Sequence, residues 1–288
     1  MPDKKISDRH KAKRRTSAFH IMMLAMSRSG DDSQTMCVLA FAWCAHPRWP
    51  LVVAGNRDEL HARPARPLAR WDRPSHLLAG RDLQSGGTWL GVSEQGRFAV
   101  VTNLRGYGMP KPDRPSRGEL VTDVLSGEGR YADPGNSELS DFNPFNLIVA
   151  DGEQAYFLSN RPENVRTILA PGIYGLSNGA LDEPWPKTMR LKEMLLEWIV
   201  RSATQPEVLL DGLREESLPG VGMRSAILSD APQEPPLTPI FIRNPVYGTR
   251  CSTVVAVNDQ GQGVIMERRY SPAGDDVGET RLSFSWPG

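Results

Sequence analysis

The chain has 288 residues, 39% of them apolar and 24% charged, with a formal net charge of +0. That is an ordinary soluble globular composition without the basic excess of a nucleic-acid binder, and no run approaches the ~20 apolar residues of a membrane span. Three cysteines, Cys37, Cys44 and Cys251, with no CxxC pair, argue against a disulfide framework and a structural zinc site.

Residues 1–35 differ from the rest. They carry eight Lys or Arg against four Asp, whereas the chain from Cys37 onward carries 26 basic against 30 acidic residues. A short apolar stretch, Ala18 to Met26, lacks a small-x-small cleavage site before Ser27-Arg28. The segment reads as a disordered extension or a mis-called start, and residues 36–288 as one domain. At Met36-Cys37 an apolar run begins that continues to Trp43, and a second, Leu51 to Gly55, ends in Asn56-Arg57-Asp58-Glu59.

Hairpins follow, each made of two strand-like runs around a Gly-containing turn. Thr88–Val92 returns as Phe98–Asn103, Asn146–Ala150 as Ala155–Leu158, and Ser252–Val257 as Val264–Glu267. A further strand is expected over Thr280–Trp286. Helical spacing appears at Leu191, Met194, Leu195, Trp198 and Ile199, and two more helices fit Glu119–Leu125 and Glu207–Leu213. The stretches 60–85 and 106–118 read as surface loops, and 229–248 as a Pro-rich loop framing a site. Strands apolar on both faces need a cover on each side, which two stacked antiparallel sheets with helices outside provide. The expected class is α+β.

Removal of Met36 as initiator would leave Cys37 with a thiol and a free α-amine. With an unperturbed pKa near ~8, that amine can act as base for its own nucleophile. The plain alternative is a small buried residue at a strand start. In a hairpin, the Asn56–Glu59 end lies beside the Cys37 strand. There Asp58 would hold the α-ammonium or orient the thiol, and Arg57 would lower its pKa. Asn103 and Asn178 stand at strand ends, where turn chemistry is usual, or where paired amides would donate to an oxyanion. Arg250 enters a strand from a sheet end facing a cleft or solvent. His46, His61 and His76 show no metal-ligand spacing.

Met36-Cys37-Val38-Leu39, Gly55-Asn56-Arg57-Asp58-Glu59, Gly86-Gly87-Thr88-Trp89-Leu90-Gly91 and Thr102-Asn103-Leu104-Arg105 together resemble the NRDE family, which includes the transport and Golgi organisation protein 2 homologues. Asn143-Pro144-Phe145-Asn146-Leu147, Leu176-Ser177-Asn178 and Tyr247-Gly248-Thr249-Arg250 extend the match. That family in turn resembles the N-terminal-nucleophile hydrolases of the choloylglycine hydrolase and penicillin V acylase type. The resemblance implies an αββα sandwich and amide-bond cleavage. It makes Cys37 the nucleophile, Asp58 its carboxylate, Asn103 and Asn178 the oxyanion pair, and Arg250 the late-strand arginine. Asn56, Arg57, Glu59 and Arg105 would bind substrate. The hydrolase arginine before the Asn has no counterpart, because Gly55 holds its place.

Two readings follow. One is a cytoplasmic hydrolase or acyltransferase acting on a small amide or acyl substrate through Cys37, without a cofactor or metal. The other is a non-enzymatic carrier of haem or lipid on the same scaffold, although no CxxCH attachment motif is present. On the first, Cys37, Asp58, Asn103, Asn178 and Arg250 should share a pocket of about 300–1,000 Å³.

Overall fold

Two consecutive apolar runs cannot form a sheet that is wet on one side. In the computed structural model, which describes residues 37–136, 139–201, 203–217 and 239–287, they are β1 (Val38–His46) and β2 (Trp49–Leu60). The two pair antiparallel, with Val38 opposite Asn56 and Trp43 opposite Leu51. Leu39, Phe41, Leu51 and Val53 point to one face, and Val38, Ala40, Val52 and Ala54 to the other. Both faces are buried.

β3 (Ala65–Arg70), β4 (Leu77–Asp82), β5 (Leu90–Ser93) and β6 (Arg97–Asn103) come next. Helix α1 (Arg117–Ser126) precedes β7 (Phe145–Ala150), β8 (Ala155–Ser159), β9 (Val165–Ile168) and β10 (Gly172–Leu176). Helix α2 (Pro186–Arg201) and the short α3 (Leu209–Gly212) lead to β11 (Tyr247–Val257), β12 (Gln262–Tyr270) and β13 (Asp276–Ser285).

One sheet runs β10-β1-β2-β11-β12-β13 and the other β3-β4-β5-β6-β7-β8-β9, all neighbours antiparallel. Between them Leu39, Phe41 and Val53 meet Val92, Phe98, Val100 and Ile148, with the Phe41 and Phe98 rings 5.9 Å apart. On the outer face of the first sheet, α2 lays Leu191, Leu195 and Trp198 over Val38, Ala40 and Ala54. The i, i+4, i+7 spacing puts these three side chains on one stripe. On the outer face of the second, α1 lays Leu120, Val121, Val124 and Leu125 over Leu77, Ala99 and Leu147. Ser116 caps α1 by accepting from Gly118 N–H, and Gly127 ends it in the left-handed region at φ 70°. The layers are therefore α, β, β, α, as expected.

The expected hairpins form, with β5 starting at Leu90 rather than Thr88. Two sequence expectations do not hold. Residues 60–85 are not a loop but carry β3 and β4. Three of the six β3 residues are Arg or Pro, and five of the six are not buried, so the run lacks apolar alternation. Such an edge strand is invisible to a search for buried runs. The helix expected over Glu207–Leu213 is a 3-10 turn at Pro206–Val208 followed by the single turn of α3. The expectation for residues 1–35 lies outside the described residues, as does most of the Pro-rich loop at 229–248.

Candidate active site

β1 starts at the same end of the stack where β2, β6 and β10 end. Residues at those four positions therefore gather without any motif linking them in sequence. Cys37, just ahead of β1, is partly buried and points its Sγ at the Asp58 carbonyl, 4.0 Å away. Ser177, just past β10, donates its hydroxyl to the Cys37 carbonyl at 2.7 Å and so fixes the backbone that carries the thiol. The Asp58 carboxylate is buried and accepts from Thr249 Oγ1 at 2.6 Å.

The two asparagines touch. Asn178 Nδ2 donates to the Asn103 carbonyl at 2.8 Å, and the Arg105 N–H donates to the Asn178 carbonyl at 2.9 Å. These bonds tie the end of one sheet to the end of the other. Asn178 is fully buried and its Oδ1 has no hydrogen-bond partner among the described residues. Arg105 is buried as well, with Nε and Nη2 lacking partners.

The structure thus brings Cys37, Asp58, Asn103 and Asn178 to one end of the sandwich. Arg250, expected with them, is turned elsewhere. A bulge between Thr249 and Cys251 re-aims it, and its Nη1 donates to the carbonyls of Leu60 and Arg63 at 2.7 and 2.9 Å. It lines a different cleft from the thiol.

The four residues of the Asn-Arg-Asp-Glu motif have separate tasks. Asn56 Nδ2 donates to the carbonyls of Leu213 and Ile240 at 2.9 and 2.8 Å, and Oδ1 accepts from Ser252 Oγ at 2.7 Å. No N–H of that amide is left for a substrate, so its role is to clamp the α3 segment and residue 240 to β2. Arg57 pairs with Asp82 at 3.2 Å and Glu59 at 3.6 Å, and its guanidinium stacks 4.4 Å from the Trp89 ring. Asp82 also holds Arg63 at 2.6 Å. Glu59 Oε1 accepts from the Leu60 N–H at 2.9 Å. Arg57, Glu59, Arg63 and Asp82 form an ionic network beside the thiol, with Arg57 and Asp82 buried and Glu59 and Arg63 half-buried, rather than a set of open ligand-binding groups.

Gly55 also has a geometric reason. A Cβ there would lie 2.7 Å from Leu39 Cβ and 2.9 Å from the Val38 carbonyl oxygen. No side chain, and so no arginine, fits at that position. A guanidinium reaches the neighbourhood from α1 instead. Arg117 donates to the Pro144 carbonyl at 3.1 Å, and burial brings it down to about 10 while the charge of a Cys37 thiolate works to raise it. Sequence reading missed Arg117 because nothing near it in the chain marks a site.

The cavity at Cys37 is small, about 20 Å³, lined by Cys37, Arg57, Trp89, Val100 and Thr102 among others. It falls far short of the pocket expected from sequence and admits about one water or one carbonyl oxygen. Thr102 follows Phe98 and Val100 on the inward face of β6, is buried, and its hydroxyl has no partner among the described residues. Burial first, then the Asp58 charge, pushes the Cys37 thiol up to about 11, with Arg57 pulling it down. The thiol is therefore protonated at neutral pH unless a base takes its proton.

Alkylation of Cys37 by iodoacetamide in the full chain should accordingly rise about tenfold per pH unit and level off only near pH 11. Asp58→Asn removes an adjacent negative charge, lowers the thiol pKa and should speed the reaction at pH 8. Arg57→Met should slow it. Mass spectrometry of the Cys37 peptide reads both, and equal rates in all three proteins would remove these charges from the account.

The family model described as Transport and Golgi organisation 2 matches residues 36–272. The transport and Golgi organization protein 2 homolog of Bos taurus is 35% identical over 81% of this chain and 92% of its own length. The Homo sapiens homolog is 34% identical over the same shares, and the Drosophila melanogaster protein 28% over 55% and 63%. Among solved structures, a Caenorhabditis elegans ortholog of N-acylethanolamine-hydrolyzing acid amidase aligns with TM-score 0.46 at 12% identity, over 76% of this chain and 92% of that one. A mutant conjugated bile acid hydrolase from Clostridium perfringens aligns with TM-score 0.47 at 8% identity, over 85% and 92%. Those two likenesses are too weak to carry an argument, whereas the family match covers every strand but β13 and every residue of the site. The chain belongs to the Transport and Golgi organisation 2 family.

Proposed function

We propose that this protein is a cysteine-dependent acyl hydrolase or acyltransferase whose nucleophile is Cys37, acting once Cys37 is the first residue. The observation that carries the reading is that Cys37 and the partnerless Thr102 hydroxyl line one cavity of about 20 Å³. A buried hydroxyl without a partner costs about 1–3 kcal/mol, and a bound oxygen would recover it. A space that admits one oxygen atom beside a thiol suits a carbonyl under attack. It does not suit a flat macrocycle, which would have to open the sandwich to reach Cys37.

In this reading the thiol adds to the carbonyl carbon, and its proton goes to the α-amine of Cys37. Thr102 Oγ1 donates to the oxyanion. The amine then returns the proton to the leaving nitrogen or thiol as the C–N or C–S bond breaks. Water, or a second acceptor nucleophile, releases the acyl group from Cys37. Asp58 holds the amine, and Ser177 holds the backbone.

The test is hydrolysis of a panel of N-acyl amides and thioesters by protein beginning at Cys37, together with a Thr102→Val variant of the same protein. Wild type should turn over at least one member. Thr102→Val keeps the shape but removes the donor, and should cut turnover by roughly 10²-fold, the usual cost of losing one oxyanion donor. Its stability should be unchanged or higher, since an unsatisfied buried hydroxyl is replaced by a methyl. No turnover of any substrate by wild type, with haem or lipid binding instead, would establish the carrier reading. Equal rates for wild type and Thr102→Val would remove Thr102 from the mechanism.

A further inference from the structure

A second cleft lies across the Arg57–Trp89 stack from the thiol, and the thiol chemistry leaves it unused. It holds about 120 Å³ and is lined by Arg57, Arg66, Arg250, Cys251, Glu267 and Arg269 with apolar neighbours. Its walls come from both sheets. β3 supplies Ala65, Arg66 and Pro67, the β11 bulge turns Arg250 inward, and β12 supplies Glu267 and Arg269 at alternate positions on the face that also carries Ile265.

The charges in this cleft do not balance. Arg57 is neutralised by Asp82 and Glu59 on its far side. Arg66, Arg250 and Arg269 have no carboxylate within ion-pair distance among the described residues. Among the described residues, Arg250 commits only Nη1, to two carbonyls, and Arg269 Nε is buried without a partner. Glu267 is the one carboxyl in the lining; its Oε1 accepts from the Leu68 N–H at 2.8 Å, and burial raises its pKa toward the neutral form.

Three guanidinium groups facing one water-sized to phosphate-sized space, with a single carboxyl biased toward neutrality, form the donor set of an anion site. The cleft is also well below the ~300–1,000 Å³ that encloses a whole drug-sized ligand, so it suits a head group. We propose that this cleft binds an oxyanion, a phosphate or carboxylate group, through Arg250 and Arg269, with Arg66 at the rim. Three donors arranged around the space match the three free oxygens of a phosphate better than the two of a carboxylate.

Calorimetric titration of the full chain with inorganic phosphate, phenyl phosphate and acetate, at constant ionic strength in chloride, tests the proposal. Wild type should show saturable one-site binding, with phosphate or its ester tighter than acetate. Arg269→Met should weaken it by at least about tenfold. Glu267→Gln removes the opposing carboxyl and should tighten it at pH 8. Arg281→Gln, on the exposed side of β13, should change nothing. If Arg269→Met does not fold by circular dichroism, Arg269→Lys keeps the charge, loses the Nε donor and should fall between. Binding of the ester alone would mark the site as one for a phosphomonoester on a larger molecule, and binding of acetate as tightly as phosphate would mark it as a carboxylate site. No saturable binding of any of the three anions would overturn the proposal. So would affinities unchanged by Arg269→Met and Arg250→Met. The readout is binding, so it stands or falls independently of turnover at Cys37.

Discussion

Cys37→Ala is expected to lower turnover of an acyl or amide substrate by about 10³-fold or more, because among the described residues Cys37 supplies the only thiol lining the 20 Å³ cavity. The fold should be unaffected. Among the described residues the thiol makes one long hydrogen bond, to the Asp58 carbonyl, and a Cys-to-Ala change removes little buried area. Retaining Met36 should have the same effect on rate by a different route. The thiol is held at about 11, so at pH 7 nearly all of it is protonated, and in the proposed mechanism the α-amine takes its proton. A peptide bond at that nitrogen abolishes the base. Active protein should therefore gain rate as pH rises through ~8, where an α-amine becomes neutral, rather than through 11. Stopped assays across pH on protein beginning at Cys37, on Cys37→Ala and on protein beginning at Met36 measure all of this. Full activity with Met36 in place would sink the amine-as-base mechanism and leave only a conventional thiol.

Asn56→Ala is the substitution with the largest expected effect on stability. It strips the hydrogen bonds from two buried carbonyls, Leu213 and Ile240, and from the Ser252 hydroxyl, which retains only Tyr270 Oη at 3.0 Å. At about 1–3 kcal/mol for each buried group left unsatisfied, the loss should be about 3–5 kcal/mol, on the order of 10 °C in Tm. Asn56→Asp should be as damaging, since a carboxylate would face two carbonyl oxygens where an amide donates. Thermal unfolding followed by circular dichroism decides it. A drop in Tm below about 2 °C would mean that Asn56 is free to serve a ligand after all.

Much of the architecture was legible in the chain because burial on both faces leaves a mark that needs no partner to be read. Runs such as Leu51 to Gly55 and Val254 to Val257 have no polar face, so the sheet they share had to be covered on both sides. Gly-containing turns between paired runs likewise announced the hairpins. β3 left no such mark, because an edge strand needs only one hydrogen-bonded neighbour and can be written in Arg and Pro. Its absence from the sequence reading hid the second cleft, one wall of which it forms.

The candidate site divides along the same line. Cys37, the Asn56–Glu59 segment, Asn103 and Asn178 stand out in sequence because each interrupts or ends an apolar strand with groups that burial would otherwise exclude. Their meeting follows from sheet order, which places the start of β1 beside the ends of β2 and β10, with the end of β6 facing them from the second sheet. What no local pattern contains is direction. The β11 bulge sends Arg250 away from the thiol, Asn56 turns its amide into the fold, and Arg57 is consumed by Asp82 and Trp89. Arg117 reaches the Cys37 neighbourhood from a segment that carries no signal at all, and Thr102 and Ser177 from motifs in which only the adjacent asparagines stood out. The residue types that chemistry requires are a property of the chain. Which of them keep a free N–H or O–H at the cavity is decided by long-range packing, because hydrogen bonds between residues more than a hundred positions apart settle which groups are already satisfied.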